Sequence, residues 1–181
     1  MAIVALAGRR IDEANSAFAQ FPLANVGIVR QRIEAELRRL RARILVSSAA
    51  CGADLLALDV SGELGLVRRV ILPFAAARFR ATSVTDRPGE WGPLFDRVVA
   101  QLRVVGAVTV LDADPDGAGM YAAVNSRILD EAQSASATTA EEAVAVLVWE
   151  GESRGEGDLT EAFGREAQLR RVPVTHVLTL P

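Results

Sequence analysis

SSAACGADLLALD, residues 47–59, is the stretch that decides how this chain is read. An apolar, strand-like run ends there in small residues, turns at Gly-Ala-Asp and restarts as a helix. Two physical reasons produce such a junction. Small side chains let a helix pack closely on a sheet, and they also leave the backbone amides of a helix start open to a ligand. The stretch alone does not choose between them. Asp54 complicates the second reading, because a carboxylate in the first turn stabilises its own helix yet repels a phosphate set against the same amides. A capping contact or a sugar hydroxyl suits Asp54 better.

Six apolar runs lie on either side of this junction or lead into it, at residues 2–7, 44–47, 69–72, 107–111, 144–149 and 174–178. They are rich in Val, Ile and Leu and continuous rather than alternating, the pattern of strands buried on both faces. Helix-like segments separate most of them. Val26, Val29, Ile33, Leu37 and Leu40 form one helical stripe, with Asn25 placed to cap it. The opposite face carries Arg30, Arg32, Arg38 and Arg39 with Glu34 and Glu36, and the Glu34 to Arg38 spacing marks a solvated face. Further helices are expected over residues 55–65, 90–102, 121–134 and 159–170. This alternation predicts an α/β fold, a Rossmann-like three-layer sandwich with a mainly parallel sheet of about six strands. Residues 1–181 are read as a single domain. Residues 74–91, FAAARFRATSVTDRPGEW, are too long for a routine connection and hold Arg78, Arg80, Arg87 and Trp91. They form a lid or ligand wall on one reading and a cover for a sheet edge on the other.

The chain has 181 residues, half of them apolar, and a formal net charge of -3. That length buries a core without staples. Near-neutral charge argues against a nucleic-acid partner, since backbone-phosphate binding calls for a strongly basic domain. Cys51 is the only cysteine, so no intrachain disulfide forms and a reducing compartment fits. His176 is the only histidine; it is read as a packed strand residue, and no metal site is expected. Cys51 precedes a helix start, where a thiolate is favoured, but the histidine is more than a hundred residues away. The N-terminus lacks the layout of a signal peptide and no apolar run nears the roughly 20 residues of a membrane span, so a cytoplasmic protein without a membrane partner is expected. A homodimer stays open. Asp112, Asp114, Asp116 and Gly117 imitate the opening of a calcium loop, but Ala123 stands where a bidentate Glu is required, which leaves a polar turn.

In open α/β sheets ligands bind beyond the carboxyl ends of the strands. Three loops there are unusual. The first run is followed by Gly8, Arg9, Arg10, Ile11 and Asp12, a glycine with two guanidiniums suited to phosphate and a carboxylate suited to a ribose hydroxyl. The alternative is that Arg9 or Arg10 pairs with Asp12 at the surface. The second loop is the opening stretch, with Ser48, Ala49, Gly52, Ala53 and Asp54. The third is GESRGEGDLT, residues 151–160, in which Gly155 and Gly157 precede Asp158, Thr160 and Glu161 at a helix start. It is an anion or sugar cradle, or an Asp-capped turn. None of these matches GxxxxGK[ST] or GxGxxG, so no ATP or dinucleotide cofactor is expected. Asn125 shares a helical face with Tyr121 and either points into the site or packs.

Taken in order, GRRID, SSAACGADLLALD, RRVILPF with Phe79 and the SV at 83–84, YAAVNSRIL, and VLVWEG with its glycine-rich turn resemble the SLOG superfamily. That group is named for the SMF/DprA and LOG proteins, and the resemblance spans nearly the whole chain. The chain looks most like bacterial SLOG domains found beside nucleotide-signalling modules. The resemblance implies a Rossmann-like fold and a cleft for a nucleotide or nucleotide-derived ligand, built from Gly8 and Arg9, residues 48–54 and residues 155–160. The LOG phosphoribohydrolases of the superfamily cut the base from a nucleoside monophosphate and carry a PGG-x-GT-x-x-E loop. The corresponding RGEGDLTEA lacks the proline and the glycine pair, and its spacing to Glu161 differs. A binding module is expected, with phosphate near Arg9, a sugar hydroxyl or cap at Asp54, and Trp91 and Asn125 as further contacts. The alternatives are an N-glycosidase with Glu161 as its acid, and an interaction domain without a ligand pocket.

Overall fold

Each of the six apolar runs is a strand of one sheet. The computed structural model describes residues 1–114 and 119–181. The strands are β1 (Ala2–Gly8), β2 (Ala42–Ser47), β3 (Val67–Leu72), β4 (Val108–Val110), β5 (Glu142–Trp149) and β6 (Val174–Leu178). They lie in the order β4-β3-β2-β1-β5-β6, and every neighbouring pair is parallel. This is a Rossmann-like α/β three-layer architecture. Successive strands step outward from β1 to β4, and the chain then returns to place β5 on the other side of β1. Strand order reverses between β1 and β5, and such a switch point opens a crevice.

The helices are α1 (Val26–Arg39), α2 (Ala53–Glu63), α3 (Ala76–Ser83), α4 (Trp91–Val104), α5 (Met120–Thr139) and α6 (Leu159–Leu169). The continuous apolar strands serve both layers. Val4, Leu6, Leu45 and Val146 face the layer of α1 to α4, while Ile3, Ala5, Val46 and Ala145 face α5 and α6. Along α1, Val29, Ile33 and Leu37 are buried and the flanking Val26 and Leu40 pack against the same core. Each such side chain contributes on the order of 1.5–3 kcal/mol by leaving water. Arg38 pairs with Glu34 at 2.9 Å on the solvent side. Asn25 does not cap α1 through its side chain; its Nδ2 donates instead to Thr179 O at 2.9 Å and ties the chain's end to the start of the helix.

Helix α2 is apolar on nearly every side because it is buried on nearly every side, from Ala53 to Leu58 and again at Val60 and Ser61. Residues 74–91 are not an irregular connection throughout, because Ala76–Ser83 form the helix α3. Phe79 anchors it, in ring contact with Phe74 and Phe95 at centroid distances of 6.2 and 6.1 Å. Asp116 and Gly117 of the calcium-like turn lie outside the described residues. Among the described residues no helix is long and apolar enough to cross a membrane, and no group of three or more metal-ligating side chains gathers.

Candidate ligand cleft

A cleft of about 440 Å³ opens over the carboxyl ends of β1 and β2, reaching the first turns of α5 and α6. It lies at the β1/β5 switch point, and its volume is in the range of small-molecule sites. Of the residues singled out from the sequence, Gly8, Arg9, Arg10 and Asp12 line it from the loop after β1. Ser48 and Asp54 line it from the β2–α2 junction, and Asn125 and Thr160 from α5 and α6. Ala49, Gly52, Ala53, Trp91, Gly155, Gly157, Asp158 and Glu161 do not form its wall.

Both helix starts that promised an anion cradle are filled by the chain itself. At α2, Ala53 N–H donates to Arg9 O at 3.1 Å and Cys51 N–H to Ser83 O at 3.0 Å. Gly52 makes this possible. Its φ is +95°, and a Cβ there would come within 2.7 Å of Arg9 O and 2.9 Å of Ile11 N. The small-residue run therefore lets the β1 loop lie directly on the start of α2. Gly8 serves the same closeness from the strand, where a Cβ would meet Ala53 Cβ at 2.5 Å and Val148 O at 2.6 Å. At α6, Asp158 is the N-cap, its Oδ1 accepting from Thr160 N–H at 3.0 Å and Glu161 N–H at 3.1 Å.

Arg9 is not free to hold a phosphate. Its Nε and Nη2 donate to Glu150 at 2.6 and 2.9 Å, and its Nη1 and Nη2 to Asp158 at 2.6 and 2.8 Å. The guanidinium is buried and lies 5.7 Å from the centre of the Trp149 ring. Burial raises the Asp158 carboxyl, but hydrogen bonds from Arg9 and from the Arg154 and Glu161 amides outweigh it and hold the group well below the usual carboxylate range. Arg9 thus fastens the end of β1 to the end of β5. Asp12 is also committed: its carboxylate accepts from Gln20 and Phe21 N–H at 3.0 Å each and closes the loop between them.

The cations available to a ligand stand at the rim. Arg10 pairs with Asp86, and its Nε is buried without a partner. Arg87 pairs with the exposed Glu13 at 3.0 Å, and the half-exposed Arg154 donates to Gln20 Oε1 at 3.3 Å. Exposed partners of this kind are exchangeable. Arg87 and Arg154 lay within stretches singled out in the sequence; Gln20 and Ser16, which also line the cleft, had no signal. Phe79 and Ile128 supply apolar wall, and Tyr121 OH meets Ser83 Oγ at 3.1 Å between helices of opposite layers.

Asp54 is the unusual group in the wall. Only 8% exposed, it takes one long hydrogen bond, from Ala50 N–H at 3.3 Å. Among the described residues it has no ion pair within salt-bridge distance. Burial pushes its carboxyl up to about 7, against smaller opposing effects of the Ala50 amide, Arg10 and Ser47. Burial likewise pushes the Cys51 thiol up, which Arg10 only partly offsets, so the thiol is held neutral. Asn125 donates to Leu159 O at 3.0 Å, so it both packs and lines the cleft. Glu161 is held outside the wall by Ser153 and, at 3.4 Å, by Arg165. His176 is exposed on the edge strand and accepts from Trp149 Nε1 at 2.8 Å. Trp91 is core, 4% exposed, with its Nε1 donating to Pro88 O at 2.8 Å.

No family model matches this sequence, and no curated protein matches it. Among solved structures, DNA processing protein A (DprA) from Streptococcus pneumoniae is similar at 16% identity, with a TM-score of 0.35. The likeness covers 98% of this chain and 59% of that one, so this chain spans rather more than half of that chain's length.

Proposed function

We propose that the protein is a binding module for a nucleotide or nucleotide-derived small molecule, held in the cleft over the β1/β5 switch point. The observation that carries this reading is the rim: Arg10 and Arg87 come from separate segments and pair with exposed or part-exposed carboxylates, and the half-exposed Arg154 joins them from a third segment, donating to Gln20 and lying 3.7 Å from Asp158. An anionic ligand can replace such partners, because surface ion pairs are worth at most about 1 kcal/mol each, whereas Arg–phosphate pairs are bidentate and charge-assisted. The phosphate is assigned to these arginines and not to Arg9, whose donors are spent on Glu150 and Asp158. The apolar wall at Phe79, Val124 and Ile128 suits the flat face of a base.

Calorimetry with mononucleotides, cyclic nucleotides and ADP-ribose tests it. A dissociation constant below the millimolar range is expected for at least one, weakened tenfold or more in an Arg10→Gln, Arg87→Gln double variant. Absence of any binding tighter than millimolar overturns the reading. The N-glycosidase alternative relied on Glu161, whose carboxylate is turned to Ser153 and Arg165. It requires base release from nucleoside monophosphates that Glu161→Gln abolishes.

A further inference from the structure

We propose that Asp54 is the specificity-determining residue of the cleft: its carboxylate accepts hydrogen bonds from two neighbouring hydroxyls of the ligand's sugar, and its proton leaves to solvent when they bind. The proposal uses the cleft of the preceding section but does not need the ligand to carry a base.

The geometry comes first. Asp54 is more than nine-tenths buried, forms part of the cleft wall, and has a single long backbone hydrogen bond. Neither of its oxygens is a buried atom without a partner, so the acceptor capacity that Ala50 does not use is open to the cleft. Ser48 and the Asn125 amide line the same cleft and extend the polar surface around it.

The neighbours then select the ligand chemistry. Arg9, Arg10, Asp12 and Glu13 share the cleft from the β1 loop, Arg87 from the segment after α3, Tyr121 from α5 and Arg154 from the β5–α6 loop. Of these, Arg10 is the one whose charge bears on Asp54. A ligand cation beside Asp54 would be repelled by Arg10, and a phosphate beside Asp54 by the carboxylate. A neutral donor pair is compatible with both, and vicinal hydroxyls match the spacing of two carboxylate oxygens. Hydroxyls donate and so require an acceptor, which favours the ionised carboxylate. Since burial keeps the empty cleft's carboxyl largely protonated below about pH 7, binding there must release a proton.

Isothermal titration calorimetry at pH 6 and pH 8, in two buffers of different ionisation enthalpy, tests this. The probes are AMP, its 2′-deoxy counterpart, ribose 5-phosphate and 2-deoxyribose 5-phosphate. At least one ribo compound is expected to bind at least tenfold tighter than its deoxy partner, with affinity falling up to tenfold per pH unit below about pH 7. Close to one proton is released at pH 6 and close to none at pH 8. Asp54→Asn is expected to lose both the pH dependence and most of the discrimination, while Glu161→Gln keeps both. Equal binding of ribo and deoxy forms, or a proton release that survives Asp54→Asn, overturns the proposal. If ribose 5-phosphate binds in this manner and AMP does not, the nucleotide reading falls and this one stands. If AMP binds without discrimination, the reverse holds; if no probe binds, both fall.

Discussion

Arg9 and Asp54 are both charged side chains at the same cleft, and their environments give them opposite roles. Arg9 is buried with two carboxylates that satisfy it, so removing it strands two acids rather than freeing a site. Arg9→Ala is expected to cost about 3–5 kcal/mol in urea unfolding, the range for breaking a buried pair. A loss below about 1 kcal/mol would contradict the strut role. Asp54 has no such partner, and its folded-state value, about 7, lies above the ordinary 3.8. A group raised in this way favours the folded state fully below its unfolded value, and that contribution is lost as pH rises through about 7. Asp54→Asn is therefore expected to match the wild type near pH 4 and to be more stable by about 2–4 kcal/mol near pH 8. Chemical denaturation at the two pH values checks this, and equal stability at pH 8 would mean that the carboxyl is not buried as described. Asp158 runs the other way, since its lowered value makes its contribution present at neutral pH and lost on acidification.

At the scale of elements, the junction between β2 and α2 works by closeness. Gly52 and Gly155 both have positive φ, but only Gly52 has backbone within 3 Å of a would-be Cβ. Gly52→Ala combines a conformational penalty of about 1–2 kcal/mol with a collision against the β1 loop worth about another 1–3 kcal/mol. Gly155→Ala carries only the first. Thermal melts of the two variants should therefore separate by several degrees, with Gly52→Ala the less stable; equal melting would show that the β1 loop yields. The strands and the long helices were legible in the sequence, because continuous Val, Ile and Leu runs and the Val29, Ile33, Leu37 stripe are direct consequences of burial. Helix α3 was not, although Ala76, Phe79 and Ser83 keep helical spacing and are its buried residues. It spans only eight residues, about two turns, too few for an apolar stripe to repeat and stand out from a connecting segment.

At the scale of the whole molecule, the candidate site depends on contacts that no local pattern encodes. Arg9 meets Glu150 and Asp158 across 141 and 149 positions of sequence, which is why an arginine in a strand-end loop reads as a ligand group until the fold spends its donors. The direction of Glu161, turned away from the cleft, was hidden for the same reason. The three loops were correctly seen to gather at one end of the sheet, because parallel strands with helical crossovers place every second connection there. The sheet divides the helices into two parts, α1 to α4 on one face and α5 and α6 on the other. A ligand in the cleft touches both parts, through Arg10 and Ser48 on one side and Asn125 and Thr160 on the other. At a hundred times its dissociation constant such a ligand adds about 2.7 kcal/mol to folding, a melting shift on the order of 5–10 °C for a chain of this size. Hydrogen exchange should show the slowing in the β1 loop, the start of α2 and the first turns of α5 and α6 together. The remote edge strand β4 should respond only through global stability. Protection confined to one face of the sheet, or centred on β4, would place the ligand somewhere other than this cleft.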